Sequence, residues 1–156
     1  PDIESTLVRM GIKKPTSLQK ELFSRDFTCN ALLMTLDFKT IIDPTRKGFD
    51  DIKNKIVRTC LSPEITLTTS KNRVVRAIYL AAKLNFEIDP KIVEWVRKNP
   101  ESIKISTSKS LAEKLNKAIL INPKVTTDYL DQMDLWKHIP ITKELYPYYI
   151  KRLALT

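Results

Sequence analysis

Prolines in the second half of the chain limit what that half can fold into, because they mark the ends of segments of helical length. Pro90 follows an aspartate, Pro100 and Pro123 follow asparagines, and Pro140 follows Ile139. A proline disfavours helix at the residue before it and suits the first position of the next helix. Between these breaks the apolar residues recur at helical spacing. The pattern predicts helices at about 70–84, 90–98, 108–121, 124–133 and 142–154.

The first half is more mixed, so the expected fold class is mainly α, with a small α/β part followed by an all-helical part. Thr16 or Ser17 can cap a helix over about 17–23. β-branched runs bounded by turn residues indicate two short strands, which we expect to pair as a small sheet edge. The remaining predictions for this half are a buried helix from Phe27 to Leu36, the strands at 38–43 and 56–59, and a loop from Pro63 to Thr69.

Composition excludes several classes of protein. With 156 residues the chain is expected to form one domain, or a domain plus an appendage. Two cysteines and one histidine make neither a zinc set nor a disulfide scaffold, which fits a reducing, intracellular compartment such as the cytoplasm or an organelle matrix. No apolar run approaches the ~20 residues that span a bilayer. The N-terminus does not show the pattern of a signal peptide. Because the chain begins at Pro1 without a methionine, we expect that its true start is missing.

The net charge of +9 favours a polyanionic partner such as nucleic acid. The acidic residues, in contrast, do not form a convincing metal site. Asp89 precedes Pro90 and is better explained as a helix cap. The other acidic groupings are typical of a helix start or a solvated helix face, and they are Asp50 with Asp51, and Asp128 with Asp131 and Asp134. We therefore predict no metal ligand and no catalytic residue in this chain.

A polar cluster from Ser24 to Asn30 runs directly into an apolar segment. Arg25 and Asp26 can hold a hydroxyl or a phosphate, and Asn30 offers both a donor and an acceptor. A structural hydrogen-bond cluster is the alternative interpretation of the same residues.

In order and spacing, this cluster and several segments before and after it resemble the class II tRNA nucleotidyltransferases and bacterial poly(A) polymerases. The resemblance is strong over about 16–98 and weaker to about 146. It implies that residues 1–62 are the C-terminal part of a nucleotidyltransferase head, 63–98 neck helices and 99–156 a helical body. The segments that carry it are Thr16–Leu22, Ser24–Leu33, Ile41–Pro44, Lys47–Ile52, Ile56–Thr59 and Arg73–Leu84.

The resemblance also implies residue roles. Arg25, Asp26 and Asn30 match positions that contact the ribose and triphosphate of a bound nucleotide, and Arg73 and Arg76 match nucleotide-binding positions of the neck. Structural pairing of these two arginines with carboxylates such as Asp43 or Glu64 is the alternative. Arg76, Tyr79 and Lys83 form a stripe that could stack on and neutralise RNA, although such a stripe is also typical of a solvated helix face.

Three departures from the family pattern stand out. The Gly-Gly loop and Asp-x-Asp pair that hold two divalent ions in the family are missing. The neck pattern Glu-Asp-x-x-Arg is replaced by Thr69–Arg73, which keeps only the arginine, and Ser-x-Glu-Arg-Ile is replaced by Thr107–Leu111. Ser24 also stands where a second arginine is common.

The resemblance therefore implies the RNA-binding portion of an RNA 3′-end nucleotidyltransferase that is inactive by itself. If a catalytic head is present elsewhere, it would use Mg²⁺ with ATP or CTP. The expected partner is RNA (tRNA, mRNA or rRNA), with a separate catalytic chain or ribonucleoprotein as a further possibility. Two alternatives remain, which are a catalytically inactive relative that serves as an RNA or ribonucleoprotein scaffold, and a helical interaction domain without a nucleic-acid role.

Overall fold

A computed structural model describes residues 2–70, 72–100, 109–139, 147, 148 and 151. The chain divides into two compact units, residues 1–70 and 71–156. Helices dominate both units and the strands are short, so the expected mainly α fold class is confirmed. The finer boundaries at residues 62 and 98 stay a prediction.

The first unit contains four helices and three two-residue strands among its described residues. Helix α2 begins as predicted, since the Thr16 hydroxyl accepts a hydrogen bond from the Gln19 N–H and the Gln19 side chain accepts one from the Thr16 N–H. A 3₁₀ turn spans Thr28–Asn30. The elements are α1 (Ile3–Arg9), α2 (Ser17–Phe23), β1 (Leu33–Met34), β2 (Ile41–Ile42), α3 (Gly48–Asn54), β3 (Ile56–Val57) and α4 (Pro63–Thr69).

The predicted helix from Phe27 to Leu36 is wrong. Long-range backbone pairing overrides helix propensity here, because Phe27 forms an isolated antiparallel bridge with Thr59. The chain turns back after β1, so that β1 pairs antiparallel with β2 and Leu33 lies opposite Ile42. The expected pairing of β2 with the strand near residue 56 is therefore also wrong, because β2 is the partner of β1 in a hairpin.

The predicted loop from Pro63 to Thr69 is wrong as well, since this segment is α4. The Ser62 hydroxyl caps the helix by accepting a hydrogen bond from the Ile65 N–H at 3.3 Å, and Pro63 occupies the first helical turn.

The second unit is built on α5, which packs against α7 and α8. The apolar residues that predicted α5 are buried, among them Val75, Ile78 and Ala81. The predicted helices up to residue 133 are confirmed, and most of the predicted helix at 142–154 lies outside the described residues. The elements are α5 (Asn72–Leu84), β4 (Glu87–Ile88), α6 (Pro90–Lys98), α7 (Lys109–Ile121) and α8 (Pro123–Gln132).

Several residues other than glycine adopt left-handed backbone conformations. Lys55, the C-cap of α3, has φ = 57°, and Asn85, which follows α5, has φ = 55°. Phe38 in the β1–β2 hairpin has φ = 60° and an 82% exposed side chain. In the part of the chain that is described, no helix combines the length and the apolar character needed to cross a membrane.

Candidate functional site

The segment from Arg25 to Asn30 leaves the end of α2 and enters the 3₁₀ turn. The Arg25 Nε and Nη2 atoms donate to Glu21 Oε1 at 3.2 and 3.0 Å, on the surface of α2. The Asp26 carboxylate accepts a hydrogen bond from the Phe27 N–H at 2.7 Å. Asn30 is exposed. The structure therefore places the three predicted residues on one short stretch of the first unit, with the Arg25 guanidinium in an exposed ion pair with Glu21.

A buried network holds this stretch in place. The Thr28 hydroxyl donates to Asp51 Oδ2 at 2.6 Å, and Arg58 Nε donates to the same carboxylate oxygen at 3.1 Å. The Thr28 N–H also donates to the Arg58 carbonyl oxygen at 2.9 Å. The network thus connects the 3₁₀ turn to α3 and to the end of β3. Sequence reasoning explained Asp51 only by the helix dipole, although its position three residues after Gly48 places both on the buried face of α3.

Gly48 allows the start of α3 to approach the 3₁₀ turn closely. A Cβ atom at this position would lie 2.8 Å from the Thr28 carbonyl oxygen and 2.9 Å from Asp43 Oδ1. Asp43 organises the same turn, since its Oδ2 atom accepts a hydrogen bond from the Phe49 N–H at 3.2 Å. The requirement for glycine here is therefore one of space.

The Cys29 thiol lies within this turn. Burial, together with the negative charges of Asp26 and Asp51, raises the pKa of Cys29 from 9.0 to about 11. Because the thiolate is the nucleophilic form, the thiol is inert near neutral pH.

The carboxylates of the described residues do not fit a divalent metal site. Among the described residues, no three His, Cys, Asp or Glu side chains form a group that could hold a metal ion. Asp51 is engaged by Thr28 and Arg58. The other candidates serve structural roles: Asp89 caps α6, Asp128 and Asp134 pair with Lys124 and Lys137, and Asp131 accepts a hydrogen bond from Trp136 Nε1.

The second unit carries the predicted basic stripe on α5. Arg73 is buried in the first turn, whereas Arg76 and Lys83 are exposed and Tyr79 is half-buried. The Lys83 Nζ atom lies 5.7 Å from the centre of the Tyr79 ring. Lys114 of α7 brings its Nζ atom to 4.7 Å from the same centre. Helical spacing along α5 could not predict the contribution of Lys114, because Lys114 lies on α7.

The altered motifs are only partly visible. Thr69 ends α4 with its hydroxyl donating to the Ile65 carbonyl oxygen at 2.6 Å, and Ser70 is the C-cap. Lys71, Thr107 and Ser108 lie outside the described residues. The roles predicted for the site residues stay predictions.

Comparisons with known proteins find relatives of one family. The poly A polymerase head domain family matches residues 3–58. The chain is 40% identical over 82 residues to the tRNA nucleotidyltransferase cca1 of Schizosaccharomyces pombe, a match that covers 53% of this chain and 16% of that protein. It is 29% identical over 131 residues to the CCA-adding enzyme of Ligilactobacillus salivarius, covering 83% of this chain and 32% of the enzyme. The chain is thus similar to a part of the class II tRNA nucleotidyltransferases.

Solved structures of this family agree with the fold. The Bacillus stearothermophilus CCA-adding enzyme in complex with CTP has a TM-score of 0.69 and 25% identity, covering 91% of this chain and 35% of that chain. A CCA-adding enzyme with ATP has a TM-score of 0.66 and 27% identity over 78% of this chain and 30% of that chain. The Thermotoga maritima CCA-adding enzyme complexed with tRNA has a TM-score of 0.64 and 26% identity, with the same coverages. The chain thus spans between 30% and 35% of the length of these three solved chains.

Proposed function

We propose that this chain forms the nucleotide-binding wall, neck and body of an RNA 3′-end nucleotidyltransferase, and that tRNA is its RNA. One observation carries the proposal. Arg25, Asp26 and Asn30 lie on one turn, and the buried Asp51 carboxylate holds this turn in place through hydrogen bonds from Thr28 and Arg58. A fixed turn keeps binding groups in place before the ligand arrives, which reduces the cost of ordering them on binding.

The Arg25–Asn30 turn supplies groups of the right chemistry for a nucleotide. The Arg25 guanidinium can exchange its exposed ion pair with Glu21 for triphosphate oxygens, which accept charge-assisted, bidentate hydrogen bonds. The Asn30 amide can bond to ribose hydroxyls. Arg73 and Arg76 are the proposed nucleotide-binding residues of the neck, which lacks the two acidic residues that the family places at positions 69 and 70.

ATP or CTP is the proposed nucleotide, by analogy with the relatives whose structures contain them. Mg²⁺ would have to be held by other carboxylates, since no three His, Cys, Asp or Glu side chains among the described residues form a group that could hold a metal ion. We propose an intracellular location. One relative is the mitochondrial CCA tRNA nucleotidyltransferase of Saccharomyces cerevisiae. It is 33% identical over 75 residues, which cover 48% of this chain and 14% of that protein.

The test is nucleotide addition by the full natural product and by the 156-residue chain. Each is incubated with labelled ATP or CTP, Mg²⁺ and a tRNA with a free 3′-hydroxyl. We expect the full product to extend the tRNA and the short chain not to. Asp26→Ala should abolish extension, and Asn30→Ala should weaken it without changing the fold, because the Asn30 side chain is exposed. Lys91→Gln, an exposed change on α6, is the control.

A second candidate function is an RNA-binding scaffold without catalysis. It is favoured by the replacement of both acidic neck residues by Thr69 and Ser70, which removes the fixed negative acceptor that orients the neck arginine. RNA binding by the full product without any extension would support the scaffold and refute the transferase.

A further inference from the structure

Tyr79 is the centre of a cationic cluster that two helices build together. Lys83 is one turn further along α5, and Lys114 comes from α7, which packs against α5. Both ammonium groups lie over the Tyr79 ring, at 5.7 and 4.7 Å from its centre. An ammonium at such a distance is attracted to the negative face of the ring.

This arrangement argues against a base stacked on Tyr79. A stacked base would need the ring face, and the Lys114 ammonium at 4.7 Å lies over it. Because α5 and α7 are packed together, the contact follows from the fold of the second unit and not from the freedom of one surface lysine. Stacking would therefore have to displace a cation–π contact before it could begin.

The charges around the ring favour an anion. Arg76 is exposed one turn before Tyr79 on α5, and Lys117 is exposed one turn after Lys114 on α7. Glu113, the carboxylate next to Lys114 in sequence, has its Oε1 atom 3.9 Å from the Lys109 ammonium. Two ammonium groups held near one ring repel each other, and an anion bound beside them relieves that repulsion.

We infer that Lys83 and Lys114 together bind one backbone phosphate of the RNA, and that Tyr79 is a positioning residue that holds the two ammonium groups for it. The inference rests on the proposed RNA-binding function and deepens it. The four-carbon stem of lysine allows each ammonium to reach a phosphate while its methylene groups stay near the ring. The cluster would grip the RNA backbone without reading its sequence.

The test is the salt dependence of RNA binding by the full chain. Affinity for a labelled single-stranded RNA is measured by fluorescence anisotropy between 50 and 200 mM salt, conditions over which phosphate contacts weaken steeply. Losing one phosphate contact reduces the slope of log K against log salt by about 0.7 for a single strand. Lys114→Gln and Tyr79→Leu should both show this reduced slope, whereas Tyr79→Phe, which keeps the ring, should retain the original slope.

Controls separate this inference from the proposed function. Lys91→Gln removes one exposed charge from α6 and should leave the salt slope closer to that of the unmodified chain than Lys114→Gln does. An unchanged slope for Lys114→Gln, with weaker binding by Tyr79→Leu, would overturn the phosphate clamp in favour of base stacking. If the unmodified chain does not bind RNA, the proposed RNA function is overturned instead. Competition by free ATP at constant ionic strength distinguishes a triphosphate site from an RNA backbone site, and only the latter agrees with the inference.

Discussion

At the scale of single residues, Asp51 connects more of the first unit than its place in a seven-residue helix suggests. Its carboxylate is almost completely buried and accepts hydrogen bonds from both Thr28 and Arg58. Removing one partner of such a network leaves the others unsatisfied in a poorly solvated place, which costs more than the net value of the bonds themselves.

We therefore expect Asp51→Ala to lower the free energy of unfolding by about 2–3 kcal/mol, with the partial exposure of Arg58 keeping the loss from being larger. Urea unfolding followed by circular dichroism measures it. Asp50→Ala is a matched control, since Asp50 is exposed on the same helix turn and should cost less than about 1 kcal/mol. Equal effects of the two changes would show that the network contributes little.

Cys29 gives a prediction about pH. Because its pKa is raised to about 11 in the folded protein, the unfolded thiol ionises first, and stability should decline as pH rises from about 9 towards 11. In a Cys60→Ser variant, the rate of alkylation by iodoacetamide should still rise steeply at pH 10. In urea, where the chain is unfolded, the alkylation rate of the same variant should be half-maximal near pH 9. A folded protein with a midpoint at pH 9 or below would contradict the burial of the thiol.

At the scale of the elements, the β1–β2 hairpin carries exposed apolar residues. Leu36 is 99% exposed and Phe38 is 82% exposed, and Phe38 also holds a left-handed backbone conformation. That conformation costs an ordinary residue roughly 1–2 kcal/mol, whereas asparagine tolerates it more easily. Short hairpins with apolar side chains in water also favour contacts between molecules.

Phe38→Asn should therefore raise the free energy of unfolding by about 0.5–1 kcal/mol and reduce self-association of the 156-residue chain. Thermal unfolding and light scattering at increasing concentration measure the two effects. Leu36→Asn is the comparison, because it removes apolar surface without a left-handed backbone to relieve, and it should change association alone. A destabilising Phe38→Asn would show that the ring has a partner that its exposure conceals.

The helices with capping signals could be predicted from the sequence, whereas elements fixed by distant contacts could not. Asp89 and Pro90 predicted the start of α6, and the similar pair Ser62 and Pro63 marks the start of α4. The threonines of α4 lower its helix propensity, so the local pattern is ambiguous there. The segment after Phe27 could not be predicted from local pattern, because its pairing with Thr59 crosses more than thirty intervening residues.

The same limit applies to the candidate site. Arg76, Tyr79 and Lys83 could be grouped by helical spacing because they share one helix. Lys114 could not be added to them, since its approach to Tyr79 depends on how α7 packs on α5. The role of Asp51 was missed for a similar reason, because its partners come from the 3₁₀ turn and from the end of β3.

At the scale of the whole molecule, the chain has the family's fold but only a part of its relatives' length. Its described carboxylates are already engaged or too dispersed to bind a divalent ion together. We expect 10 mM MgCl₂ to leave the melting temperature of the 156-residue chain within about 1 °C of its value in an equal ionic strength of NaCl, since only a ligand that binds the folded state stabilises it. A saturable rise with Mg²⁺, absent with NaCl, would reveal a site that the fold does not suggest.

The left-handed residues at helix ends bear on how this protein could be improved by engineering. Lys55 and Asn85 occupy positions where many proteins place glycine, and the whole chain has only two glycines. Natural proteins rarely sit at their stability optimum, so such positions leave room for gains that do not alter the fold. A thermostable form suited to biochemical work could therefore be sought at these helix ends.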